Sequence, residues 1–375
     1  MNASPGASAR AARLERLFHL LERRILLLDG AMGTRLQRLA LDEQDFRGAR
    51  FLDSDRPQRG NYDILTLTQP QLVAAVHREY LEAGADVIRT NTFLANAPSQ
   101  SPFGMAHVVH ELNLEAARLA RSIADAHEEE SGRAVFVAGV VGPTDRAVSL
   151  TKGTDTADAR GVSFDELVRA HADAVRGLVH GGADLILIET VFDAANARAA
   201  LEAARKVFIE LGYELPLAVS LTPCDDDGRI RSGETPGEVW EAIRDAKPLI
   251  VGLNCGSSPR ALIACVPELA RVAEDAFVCV YPSAGLPDAA GNYPATPHDL
   301  AEEMRALAAR GVINIAGGCC GTTPGHIRAL RAALSGEPGG TAMLSSRGAC
   351  GIRAARGRRC RRDPASDPGS TAGGI

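Results

Sequence analysis

Eight short apolar runs, each followed by an amphipathic stretch, recur along this 375-residue chain and constrain its fold more than any other feature. They begin at Ile25 (ILLLDGAMG), Ala85 (ADVIRTNTF), Val135 (VFVAGVVGPT), Ala183 (ADLILIET), Leu215 (LPLAVSLT), Leu249 (LIVGLNC), Phe277 (FVCVYPSAG) and Val312 (VINIAGGCC). Runs of this length read as buried strands, and the segments between them read as helices. Examples are QPQLVAAVHREYLEAG, SFDELVRAHADAVRGLVHGG and TPGHIRALRAAL, with Ser163 and Thr323 placed as N-caps. Strictly alternating strands and helices give a parallel sheet. Eight such units fit a closed (β/α)8 TIM barrel. An open doubly wound sheet would alternate in the same way, but its dinucleotide fingerprint G-x-G-x-x-G is missing after the first strand.

The barrel is expected over residues 25–335, preceded by a leader helix at 1–24 that packs under the domain. Residues 336–375, rich in Gly, Ser, Arg and Pro, are expected to form a disordered basic tail. Two connections are long for βα loops, Thr34 to Thr68 and Gly142 to Val162. In a barrel both would rise on the catalytic face. The net charge of −6 gives no reason to expect nucleic-acid binding, since only residues 341–375 are basic, with seven arginines against two aspartates. No apolar run reaches the ~18 residues that span a bilayer, and the N-terminal segment lacks the form of an export signal, so a cytoplasmic protein is expected.

Eight cysteines in a reducing compartment point to metal binding or catalysis before disulfides. Cys265 and Cys279 sit in apolar contexts and read as core; Cys350 and Cys360 lie in the tail and Cys224 in a polar loop. Cys255, Cys319 and Cys320 remain, all at the ends of apolar runs. Catalytic groups of such barrels come from the C-terminal ends of several strands. Those ends place Asp29, Glu189 and the three cysteines at one mouth. Adjacent side chains on a strand point to opposite faces, so Cys319 and Cys320 can meet one target only if the flanking glycines let the backbone turn. Three thiolates would leave one position of a tetrahedral zinc open, as in a catalytic site. Two other readings of GGCCGTTPGH stand beside this one: small buried hydrophobes, and a glycine-rich loop cradling phosphate at a helix start.

The motifs LLLDGAMGTRLQ, DFRG, RGNYDILTLTQP, EAGADVIRTNTF, VAGVVGPT, GGADLILIETVFD, VGLNC, YPSAGLPDAAGNY and GGCCGTTPGHI resemble the homocysteine S-methyltransferase family from about Ile25 to Leu334. They are most similar to the homocysteine-binding module of the cobalamin-dependent branch. The resemblance implies a zinc-containing barrel that activates homocysteine as a thiolate and methylates it to methionine. It also implies Cys255, Cys319 and Cys320 as zinc ligands, Asp29 and Glu189 as partners of the α-ammonium, and the amides of Gly30 and Ala31 as partners of the carboxylate. Methylcobalamin, carried by a separate folate- and cobalamin-binding polypeptide, is the expected methyl donor. A self-contained enzyme using S-methylmethionine or betaine, or an inactive barrel serving only in assembly, are the rival expectations. One departure stands inside the site: Arg89 occupies a position where the family usually carries an acid.

Overall fold

The computed structural model describes residues 5–144, 162–224, 227–256 and 258–340. All eight apolar runs form strands: β1 Leu26–Leu27, β2 Val87–Arg89, β3 Phe136–Val141, β4 Leu185–Val191, β5 Leu217–Leu221, β6 Ile250–Cys255, β7 Phe277–Pro282 and β8 Ile315–Ala316. Every pair from β2 round to β8 and on to β1 is parallel. A parallel bridge between Leu28 and Val87 brings β1 back to β2. Eight parallel strands thus enclose a barrel, as the alternation predicts.

Thirteen α-helices are described. Short α2 Met32–Gln37, α3 Glu43–Arg47, α4 Leu65–Thr68 and α6 Ala97–Gln100 lie in loops. The outer layer comprises α5 Pro70–Glu82, α7 Val109–Ser131, α8 Phe164–Gly181, α9 Ala194–Leu211, α10 Pro236–Ile243, α11 Pro259–Val272, α12 Pro297–Ala309 and α13 Pro324–Ala333. Ser163 caps α8 by a reciprocal box: its hydroxyl accepts from the Glu166 N–H while its own N–H donates to the Glu166 carboxylate. Thr323 starts α13 differently, donating its N–H to Nδ1 of His326 at 3.1 Å, while Nε2 of that ring meets the Ala295 carbonyl.

Two apolar regions follow from strand periodicity. Side chains facing outward pack under the helices, including Ile88, Val137, Ile186, Ile188, Val219 and Val251. Inward-facing side chains fill the barrel: Leu26, Leu28, Val87, Phe136, Ala138, Val140, Leu185, Leu187, Ala218, Ile250, Phe277, Cys279 and Ile315. The first helix, α1 Pro5–Leu21, belongs to this inner cluster through Leu17 and Leu21, which makes it the floor of the barrel. Cys279 is buried inside, as its apolar context implies.

Polar residues at the lower strand ends complete the floor. Asp86, Asp184 and Asn314 each precede a strand and accept a backbone N–H from a neighbouring one: Leu27 at 2.9 Å, Val137 at 2.9 Å and Val278 at 2.9 Å. Asp184 also pairs with Arg13 of α1 at 2.7 Å and Arg121 of α7 at 2.8 Å. Residues after α13 stay against the barrel, where the Gly340 N–H donates to the Ile313 carbonyl.

The long segment from Thr34 to Thr68 lies between β1 and α5, and so on the face of the strand C-termini. Its RGNYDIL motif is bonded to the loop after β2. Asn61 and Gln100 exchange amide hydrogen bonds at 2.8 and 3.0 Å, Asp63 accepts the Leu94 N–H, and Asn91 donates to the Tyr62 carbonyl. Most of the other long connection, residues 145–161, and residues 341–375 of the tail expected from 336 onward lie outside the described residues. Leu21 is fully buried. Leu21→Ala should destabilise the barrel by about 2–5 kcal/mol in chemical denaturation, with metal content of the folded protein unchanged.

Candidate active site

Inside the barrel, side chains two residues apart share a face, and the upper layer of that face changes from apolar to polar. Above Val87 stands Arg89; above Leu187, Glu189; above Ala218, Ser220; above Cys279, Tyr281; and Asn254 lies four residues beyond Ile250. All five are buried. The strands therefore carry a hydrophobic plug below and a polar ring above, at the end where catalytic groups gather in such barrels.

Three backbone departures then aim the cysteines. Thr190, beside a register shift in β4, has φ +62°, and Cys255 at the end of β6 also has φ +62°. A non-glycine residue in this region costs on the order of 1–3 kcal/mol, so surrounding bonds must hold it. Asn254 does so, donating to Thr190 Oγ1 at 2.9 Å and accepting from Ser220 Oγ at 2.7 Å and the Thr190 N–H at 3.3 Å. The third departure follows β8, where the chain leaves strand geometry through Gly317 and Gly318. A Cβ on Gly318 would lie 2.3 Å from Thr322 Oγ1, and one on Gly321, at φ +80°, would lie 2.2 Å from the Tyr293 ring. Only glycine fits either position, and the turn they permit puts both adjacent sulfurs on one side.

The result is a compact triangle. Cys255 Sγ lies 3.8 Å from Cys320 Sγ, Cys320 Sγ lies 4.0 Å from Cys319 Sγ, and all three fall within 4.8 Å of one another. Tetrahedral bonds of ~2.3 Å hold two sulfurs about 3.8 Å apart, so the set fits zinc or a similar soft divalent ion. Asn254 Nδ2 stands 3.9 Å from Cys319 Sγ as a further donor to sulfur. Hydrogen bonds from Cys255 and Cys319 favour the thiolate at Cys320, while the Cys255 thiol is pushed up by its interactions with Cys319 and Cys320 and by burial. A divalent cation among them would stabilise further thiolates and reverse the second effect. Cys320 is exposed and its two partners are half-buried, so the triangle opens to solvent. Cys224 is exposed and donates its S–H to the Thr222 carbonyl; it is not in the cluster.

The same loop weighs against the phosphate-cradle reading of GGCCGTTPGH. Most of its backbone N–H groups are already used: Gly317 on Val280 O, Gly318 on Asp29 O, Cys319 on Pro282 O, Gly321 on Thr34 Oγ1, Thr322 on Cys319 O and Thr323 on His326. A phosphate site needs such donors pointing outward. Reading the pair as buried hydrophobes fails, since Cys320 is exposed.

Asp29 and Glu189 do come together, with Arg89 between them. Arg89 Nε donates to Asp29 Oδ1 at 2.7 Å, Nη1 to Glu189 Oε2 at 2.8 Å, and Nη2 to the carbonyls of Gly30 at 2.9 Å and Gly318 at 2.8 Å. The Arg89 backbone N–H takes Asp29 Oδ2 at 2.9 Å, and the guanidinium stands 5.0 Å from the Tyr281 ring centroid. Burial pushes the Asp29 carboxyl up to about 6, and burial likewise raises Glu189; Arg89 opposes both shifts. Of the two amides expected near the substrate carboxylate, that of Ala31 donates to Thr322 Oγ1 at 3.3 Å. Gly30 presents its carbonyl to Arg89.

Sequence reasoning did not single out Asn254, Tyr281 or Thr322. Asn254 was within reach, since it falls on the inward register of β6 beside a candidate ligand. Thr322 had no such signal, because its hydroxyl acts across the turn, donating to Cys319 O at 2.7 Å.

Comparison with known proteins agrees with this arrangement. The family model described as homocysteine S-methyltransferase matches residues 26–334. A solved structure of the homocysteine methyltransferase MmuM from Escherichia coli, in a metallated form, is 25% identical, with a TM-score of 0.65 over 85% of this chain and 99% of that one. The oxidized form of the same protein is similar in fold at 23% identity and a TM-score of 0.63, over the same shares of the two chains. With the family match spanning the whole barrel and a cysteine triangle of metal-binding geometry at its mouth, the chain belongs to the homocysteine S-methyltransferase family.

Proposed function

We propose that this chain is a zinc-dependent S-methyltransferase that transfers a methyl group to the sulfur of homocysteine, giving methionine. The observation that carries this reading is the triangle of Cys255, Cys319 and Cys320 at the open end of the barrel, whose sulfur spacings fit tetrahedral zinc. When bound there, zinc would supply a Lewis acid that lets the acceptor thiol persist as a thiolate at neutral pH, where a free thiol of pKa ~8.5 is mostly protonated.

The chain's own residues do the rest. Asn254 fixes the strained ends of β4 and β6 and turns an N–H toward the Cys319 sulfur. Thr322 holds the Cys319 carbonyl and so the turn that carries two ligands. Asp29, Arg89 and Glu189 form a polar wall beside Cys319, with Gly30 and Ala31 at its edge, and homocysteine's polar end lies against it. Below that wall the barrel is filled with side chains, so the methyl donor must approach from the open mouth.

For the donor, DFRG and RGNYDIL support methylcobalamin delivered by a separate folate- and cobalamin-binding polypeptide. A self-contained enzyme taking its methyl group from a small sulfonium or quaternary ammonium donor is the second reading. It is favoured by the match along 99% of MmuM, a homocysteine methyltransferase. Among the described residues no helix is long and apolar enough to cross a membrane.

Three measurements test these assignments. Reduced protein should carry about one zinc per chain by atomic emission. Replacing Cys255, Cys319 or Cys320 with Ala should remove metal and methyl transfer together, whereas Cys224→Ala should keep both; full zinc retention in Cys320→Ala would sink the ligand set. Asn254→Ala should weaken zinc binding or activity about 10- to 100-fold, as loss of a residue behind a metal ligand does. Finally, product formation should be followed with methylcobalamin, S-methylmethionine and betaine as separate donors. Rapid turnover of the isolated chain with S-methylmethionine, and none with methylcobalamin with or without a cobalamin-binding partner, would replace the first donor reading by the second.

A further inference from the structure

Two carboxylates at the mouth of a site that binds an amino acid ordinarily serve to hold its ammonium group. Here that task is already taken. Asp29 is almost wholly buried and spends both oxygens on Arg89, one on the guanidinium Nε and the other on the backbone N–H. Glu189 receives Nη1, and two carbonyls, those of Gly30 and Gly318, receive Nη2. Arg89 itself is 8% exposed. Its planar fork matches these four acceptor residues on three segments, so it is fixed in place from the residues just after β1, from β4 and from the turn after β8. Moving it aside to admit an ammonium would break charge-assisted bonds and leave a buried guanidinium uncompensated.

From this packing we infer that Arg89 is a resident substitute for the substrate's α-ammonium, so that the chain accepts thiols lacking an α-amino group about as readily as homocysteine. The inference rests on the thiol-methylation reading of the cysteine triangle and refines its substrate class. The acceptors would be short-chain thiols with a carboxylate end, homocysteine among them. The physical contrast is large. A site built to hydrogen-bond a substrate N–H rejects the analogue without it by ~10⁴-fold or more, because its acceptors are left unpaired in a buried place. With Arg89 pairing those acceptors permanently, loss of the amino group leaves no orphan in the protein.

The test compares homocysteine with its des-amino analogue, 4-mercaptobutanoate, by calorimetric titration into the zinc-loaded full chain. The expected result is a ratio of dissociation constants below about tenfold; tenfold or more in favour of homocysteine overturns the inference while leaving the methyl-transfer reading intact. Arg89→Gln removes the internal cation and should move the ratio at least about tenfold toward homocysteine, and an unchanged ratio in the folded variant also overturns it. Arg89→Lys, which keeps the charge, should behave nearer to the parent protein. Should Arg89→Gln fail to fold, the ratio in the unaltered chain decides alone. If neither thiol binds the zinc-loaded chain, the function itself is misassigned, and the specificity falls with it.

Discussion

The barrel closes at its weakest seam, and two aspartates hold that seam shut. Strand β1 is two residues long, with too few backbone groups to secure β8 on one side and β2 on the other. Side-chain carboxylates supply the missing acceptors. Below, Asp86 takes the Leu27 N–H and two arginines, Arg24 at 2.8 Å and Arg331 at 2.7 Å. Above, the Asp29 N–H donates to Val87 O while its carboxylate takes the Arg89 N–H. The upper clasp is also part of the site. Closure of the fold and organisation of the mouth therefore share one residue pair, which couples stability to substrate recognition at Asp29.

Sequence periodicity revealed the fold because a parallel strand buried on both faces must be apolar throughout, and eight such runs were countable before any geometry was known. The site was only partly legible. Cys255, Cys319 and Cys320 could be placed at one mouth from strand order, but nothing local in their spacing shows that a left-handed residue at Cys255 and two glycines with no room for a Cβ are what bring the sulfurs together. The phosphate reading of the same loop is disfavoured for a reason that sequence cannot carry. Glycines mark where backbone can bend, and they do not say whether its N–H groups face inward or outward. Arg89 shows the limit most sharply. Its change of charge could be read from the chain, yet its partners come from residues 60, 100 and 229 positions away.

Electrostatics at the mouth follow from that network. Two buried acids face one buried base beside three thiols, and burial raises both acids against the pull of Arg89. A soft divalent cation would meet this field favourably from the sulfur side. The polar ring is thus a fixed charge distribution standing on an apolar plug, with little freedom to rearrange, because Arg89, Glu189, Ser220 and Asn254 are each hydrogen-bonded to a neighbour on another strand.

The floor helix carries a consequence for biosynthesis. Helix α1 is synthesised before every strand of the barrel, but Arg13 pairs with Asp184, 171 residues later, and Leu17 and Leu21 dock among side chains contributed by strands as late as β8. At ~5–20 residues per second, a nascent chain spends on the order of ten seconds or more with this apolar stripe uncovered. The helix is made before the barrel it closes and is among the last elements to find its place. Until then its Leu-rich face is a surface for whatever chaperone waits at the tunnel exit.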